Sequence, residues 1–127
     1  MKYLHIVGAR PQYMKLSPLV KEFEKQGLDF DVLHTGQHYD DSMSSDFFKE
    51  LNMKPPKFQF NNNNKPYPTM ISDMITDISS VINDYTDVIV YGDTLTTLAG
   101  ALSSTFCGKK LHHIEAGLRS KNLDMPE

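Results

Sequence analysis

Asp87–Gly100 reads DVIVYGDTLTTLAG. Asp87-Val88-Ile89-Val90-Tyr91 is a short, β-branched apolar run, the pattern of a strand buried on both faces. Gly92-Asp93-Thr94 predicts a tight turn. From Thr94 to Phe106 the apolar residues Leu95, Leu98, Ala99, Leu102 and Phe106 fall at helical spacing, with the Thr94 hydroxyl able to cap the helix. Strand, turn and helix in this order, with a carboxylate at the turn, are the unit of an open α/β sheet. Ligands of such sheets bind at the carboxyl edge of the strands, where this turn lies.

The same unit recurs on both sides of that stretch. Tyr3–Val7 reads as the first strand, followed by the turn Gly8-Ala9-Arg10-Pro11-Gln12. A helix from Tyr13 places Leu16, Leu19, Val20 and Phe23 on one face and is stopped by Gly27. Ser17-Pro18 should kink this helix or start a fresh one. Asp31–Thr35 is a second strand with Gly36-Gln37-His38-Tyr39 after it. A short helix over 42–51 then shows Met43, Phe47 and Leu51. Phe58-Gln59-Phe60 reads as a brief third strand, and Asn61–Asn64 as a solvated loop. A helix from Thr69 to Asp84 buries Met70, Met74, Ile78, Val81 and Ile82. After Gly108, Leu111–Ile114 is the fifth strand, and Glu115–Arg119 the turn beyond it. The alternation predicts an α/β class: a Rossmann-like parallel sheet in the order 3-2-1-4-5, with helices on both faces.

The 127 residues fit one domain with a real core. No linker divides them. The irregular charged stretch Ser120–Glu127 has no closing element and reads as a cut. A net charge of −3 gives no reason to expect nucleic acid or an anionic membrane as partner. No apolar run approaches a membrane span, and Met1-Lys2 leads straight into a strand pattern. The single cysteine, Cys107, excludes an internal disulfide and suits a reducing compartment.

The strand-end turns carry a coherent chemistry. Arg10 and Lys15 follow the first strand, Gln37 and His38 the second, Asp93 the fourth, and Glu115 and Arg119 the fifth. With the first and fourth strands adjacent, Arg10 and Asp93 stand on opposite lips of one crevice. Cations beside a helix start suit phosphate, and carboxylates in a crevice suit proton transfer. Arg10 could instead simply pair with Asp93 and fix two loops. His112 and His113 are adjacent on a strand and point to opposite faces, so they cannot both bind one metal. His5 and His34 read as packed strand residues. No zinc spacing, GxGxxG fingerprint or P-loop is present.

Gly8-Ala9-Arg10-Pro11-Gln12 with Lys15, Thr35–Asp40 (TGQHYD), Gly92-Asp93-Thr94 and His113–Ser120 (HIEAGLRS) come in the order and spacing of one family. The chain resembles the N-terminal part of the UDP-N-acetylglucosamine 2-epimerases over all 127 residues, and Met125-Pro126-Glu127 is similar to the start of that family's Pro-Glu-Glu motif. The resemblance implies the N-terminal part of a GT-B fold, with UDP-sugar between two Rossmann-like domains. The C-terminal nucleotide-binding domain is absent from this sequence. It implies interconversion of UDP-GlcNAc and UDP-ManNAc in the cytoplasm for surface polysaccharides, by a homodimer without metal or nicotinamide cofactor. It assigns Asp93, Glu115 and Glu127 as acid/base residues, and Arg10 and Lys15 as the cationic motif. Gln37, His38, Thr94 and Arg119 join them as substrate contacts. Leu95-Thr96 departs from the Asn-Ser pair of many members, and Lys121–Asp124 matches the shorter spacing of one branch. The alternatives are a hydrolysing relative, a GT-B glycosyltransferase, or an anion-binding module without chemistry. The 127 residues alone are expected to be inactive.

Overall fold

The computed structural model describes residues 1–38 and 45–115. Among them, β1 (Lys2–Val7), β2 (Asp29–His34), β3 (Phe58–Gln59), β4 (Asp87–Tyr91) and β5 (Lys110–Ile114) form one parallel sheet in the order β3-β2-β1-β4-β5. The helices are α1 (Arg10–Lys25), α2 (Ser45–Glu50), α3 (Tyr67–Val81), continued by a 3₁₀ turn over Ile82–Asp84, and α4 (Leu95–Phe106). The order is the one the alternation predicts. Tyr39, Asp40, the start of the second predicted helix and everything from Ala116 on, Arg119 and Glu127 included, lie outside the described residues.

Register sorts the core into two layers. Ile6 lies opposite Leu33 and Val90, and Leu4 opposite Val88. These residues pack under Met70, Met74 and Ile78 of α3 and Leu95 and Ala99 of α4. One residue out of phase, Val7, Val32, Ile89 and Tyr91 face the other way. They meet Tyr13, Leu16, Val20 and Phe23 of α1 and Phe47 and Phe48 of α2. Every residue of β4 is buried, as its unbroken apolar run predicts.

Three elements differ from the expectation. α1 starts at Arg10 and runs through Pro18, so no fresh helix begins at Ser17. The proline ring lies on the exposed face, while Ser17 is buried with its hydroxyl 3.5 Å from the Leu51 carbonyl. The carbonyl that Pro18 leaves without a donor belongs to Met14, which is 54% exposed and open to water. The second is α4, whose apolar residues divide between two faces, with Leu95 and Ala99 buried. Leu98 and Phe106 are exposed, and the buried arc carries Thr96, Thr97, Gly100, Ser103 and Ser104. Small residues let the helix lie close on the sheet: a Cβ on Gly100 would come 2.7 Å from Val90 Cγ1. The third is the asparagine run. Asn62 is fully buried rather than solvated.

Candidate functional site

β1 and β4 are neighbours, but the chain leaves β1 toward β2 and β4 toward β5, so α1 and α4 depart on opposite faces. This is the switch point of the sheet, where ligands of open α/β folds bind. It is held together by Gln12, which is 6% exposed. Gln12 Oε1 accepts from the amides of Gly8 (2.6 Å) and Ala9 (3.2 Å), and its Nε2 donates to the Tyr91 carbonyl (2.9 Å) and Thr94 Oγ1 (3.1 Å). One side chain thus ties the turn after β1 to the turn after β4. The sequence signal for it was a glutamine three residues past a helix N-cap, which can reach back to satisfy the amides there.

Behind Gln12 the packing is closed. A Cβ on Gly8 would fall 2.1 Å from Thr96 Oγ1 and 2.4 Å from Thr35 Oγ1, so the turn has room only for glycine. Those two hydroxyls are 2.8 Å apart. Gln37 Oε1 accepts from the Thr96 amide (2.9 Å) and hydroxyl (2.7 Å). Gln37 is 2% exposed, and its side-chain carbonyl is engaged in this framework. The His38 amide donates to the Gly8 carbonyl at 2.9 Å, which sets His38, exposed, at the same edge.

The remaining candidates line this edge. Arg10 is the first residue of α1, with its guanidinium 4.9 Å from the Phe47 ring centre. Lys15, further along α1, is hydrogen-bonded to Glu115 at the end of β5. Asp93 is exposed on the turn after β4, and Thr94 caps α4 by accepting from the Thr97 amide at 3.3 Å. Glu115 has φ +63°, a left-handed backbone that non-glycine residues adopt at a cost of order 1 kcal/mol and that clusters at functional sites. The Thr96 and Thr97 amides at the start of α4 are already engaged, by Gln37 and Thr94.

The histidines of the strands stand apart from this chemistry. His5 and His34 are buried, and burial lowers both pKa values to about 4. His5 Nδ1 lies 2.8 Å from the Tyr91 hydroxyl and His34 Nδ1 3.2 Å from that of Tyr13. His112 Nε2 is 2.8 Å from the Asp87 carboxylate near the opposite edge. Burial raises the Asp87 pKa, but hydrogen bonds from His112 and Thr86 outweigh it and hold the carboxyl below its ordinary range. His113 donates from Nε2 to the Gly92 carbonyl at 2.6 Å and steadies the turn that carries Asp93. Among the described residues no three His, Cys, Asp or Glu are grouped to hold a metal, and no helix is long and apolar enough to cross a membrane.

Comparison with known proteins gives this edge a context. A sequence model of the UDP-N-acetylglucosamine 2-epimerase family matches residues 21–127. The whole chain aligns at 40% identity with UDP-N-acetylglucosamine 2-epimerase of Methanocaldococcus jannaschii, covering 35% of that protein. It aligns at 44% identity with UDP-2,3-diacetamido-2,3-dideoxy-D-glucuronate 2-epimerase of Pseudomonas aeruginosa, covering 37%. The crystal structure of the M. jannaschii enzyme in complex with UDP-GlcNAc and UDP superposes on it with a TM-score of 0.92 at 40% identity, over all of this chain and 36% of that one. The chain therefore spans about a third of the length of the curated relatives it matches.

Proposed function

Since the chain belongs to the UDP-N-acetylglucosamine 2-epimerase family, we propose that its crevice is one half of a UDP-sugar 2-epimerase site. The observation that carries the reading is the meeting of Arg10, Lys15, Asp93 and Glu115 at the carboxyl edge beside the β1–β4 switch point. The C2 hydrogen of a UDP-sugar is not acidic. The reaction therefore runs by elimination: the C1–O bond to UDP breaks as a carboxylate takes the C2 proton, leaving an unsaturated sugar. UDP then adds back at C1 while C2 is reprotonated on the other face. Arg10 and Lys15 stabilise the departing diphosphate, where negative charge develops. Asp93, Glu115 and Glu127 handle the protons, and His38, Thr94 and Arg119 contact the substrate. Lys15 holds Glu115 through one of its three N–H donors and can offer another to a diphosphate.

The sugar is either N-acetylglucosamine or a 2,3-diacetamido uronic acid, the two chemistries named for the relatives of similar identity. We place the reaction in the cytoplasm, in supply of surface polysaccharide. The protein acts as a homodimer, and the exposed Leu98 and Phe106 of α4 and Leu111 of β5 are the apolar surface that supports this. These 127 residues are one domain of two, and the nucleotide is gripped mainly by sequence beyond them. The chain alone should accordingly not catalyse.

The test is NMR of each UDP-sugar in D₂O. A protein of the relatives' full length that carries this chain should place deuterium at C2 and form the C2 epimer. Asp93→Asn or Glu115→Gln should lower kcat by roughly 10²–10⁴-fold. A double variant that still exchanged C2 would overturn the site assignment. Exchange by the 127-residue chain would overturn its inactivity, and release of free sugar would favour the hydrolysing reaction.

A further inference from the structure

We propose that Asn62 is a positioning residue of the crevice. It clamps the turn after β2 and, through Gln37 and Thr96, fixes the start of α4 where Asp93 and Thr94 stand. The proposal rests on the reading of that edge as the UDP-sugar site. Of the four consecutive asparagines, Asn62 alone is fully buried. Burying an amide is costly unless its polar atoms find partners, and those of Asn62 do. Its Nδ2 donates to the Thr35 carbonyl (2.7 Å) and Asp77 Oδ2 (3.0 Å). Its Oδ1 accepts from Lys65 Nζ (2.8 Å), and its own amide donates to the Gly36 carbonyl (3.0 Å).

Where these bonds lead matters more than their number. Two of them seize consecutive carbonyls, those of Thr35 and Gly36, immediately before Gln37. The Thr35 hydroxyl then meets Thr96 at 2.8 Å and the Gln37 amide at 3.3 Å, and Gln37 Oε1 takes both the amide and hydroxyl of Thr96. Thr35, Gln37 and Thr96 are each at most 2% exposed, so water cannot substitute for a lost link. The other end of the clamp is equally fixed. Asp77 belongs to α3, and Lys65 also bonds Asp73 of α3 at 2.9 Å. Asn62 therefore joins a rigid helix to the turn that seats the first residues of α4. A loop staple needed only for stability could have bonded anywhere along the 61–65 segment. This one reaches the residues that support the catalytic turn.

The test compares Asn62→Ala with the wild-type chain by amide hydrogen exchange. The Thr96 amide, which is bonded to Gln37, should exchange roughly tenfold faster. The amides of Ile6 and Val90 in the sheet should keep their rates. Should Asn62→Ala not fold, Asp77→Ala removes one acceptor from a partly exposed position and should speed Thr96 in the same selective way. Asp77→Asn keeps an acceptor oxygen and should restore the wild-type rate. At the relatives' full length, Asn62→Ala or Asp77→Ala should lower kcat roughly tenfold with KM little changed. Uniform acceleration across the sheet with a matching fall in Tm, or an unchanged Thr96 rate, overturns the proposal. A full-length wild type that exchanges no C2 hydrogen sinks the epimerase reading instead, and the Thr96 rate still decides the role of Asn62.

Discussion

Single side chains set how this protein responds to acid. His5 and His34 titrate near pH 4 when folded, because burial disfavours their charged forms, against about 6.5 in an unfolded chain. Between those values the unfolded chain takes up protons that the folded one refuses. Their contribution is present in full above about pH 6.5 and is lost as pH falls toward 4, by up to about 3 kcal/mol for each residue. Urea midpoints should fall steadily from pH 7.5 to 5. His5→Phe should flatten that slope, since it removes one of the two titrating groups, at the cost of the 2.8 Å contact between His5 Nδ1 and the Tyr91 hydroxyl. An unchanged slope in that variant would remove His5 from the account. The sequence showed these histidines as strand residues, because alternation on a strand is legible. It could not show Asn62 as an anchor, because a polar residue in a loop looks the same whether water or a carbonyl fills its hydrogen bonds.

At the level of elements, β4 was legible to the residue because the apolar, β-branched run Val88-Ile89-Val90, buried on both faces, has few other homes. α4 was legible as a helix but not in its orientation. Its leucines and Phe106 have helical spacing, yet periodicity does not say which arc meets the sheet, and close approach at Gly100 chose the small residues. At Pro18 the fresh-helix alternative fails, because the Met14 carbonyl that proline leaves without a donor lies on the exposed side of a helix that continues. Pro18→Ala should restore that bond to Met14. It should stabilise the fold by about 1–2 kcal/mol, the helix-propensity gain less the unfolded-state entropy that proline removes. A rise of several degrees in Tm by calorimetry is the expected reading, and a fall would mean that the ring packs where it is seen to be exposed. Gly100→Ala should act the other way, since the added methyl meets Val90.

For the molecule as a whole, the outward face of α4 predicts association. Leu98 is 48% and Phe106 71% exposed, although Leu95 and Ala99 of the same helix are buried in the core. Light scattering at high concentration should show a dimer, and Leu98→Glu with Phe106→Glu should return it to monomer with the far-UV spectrum unchanged. A monomeric wild type would count against the homodimer. The strand order has a consequence of another kind, for the ribosome. β1 is the central strand, yet β4, its partner on one side, begins at Asp87, some 80 residues after Val7. At roughly 5–20 residues per second, translation leaves that edge of β1 bare for several seconds, with Leu4, Ile6 and Val7 uncovered on their way to the core. Nascent chains halted before Asp87 should therefore be cut quickly by protease and held by chaperones, while chains that have emerged past Ile114 should resist both. The strand made first is among the last to be enclosed, and the cell must shelter it in the interval.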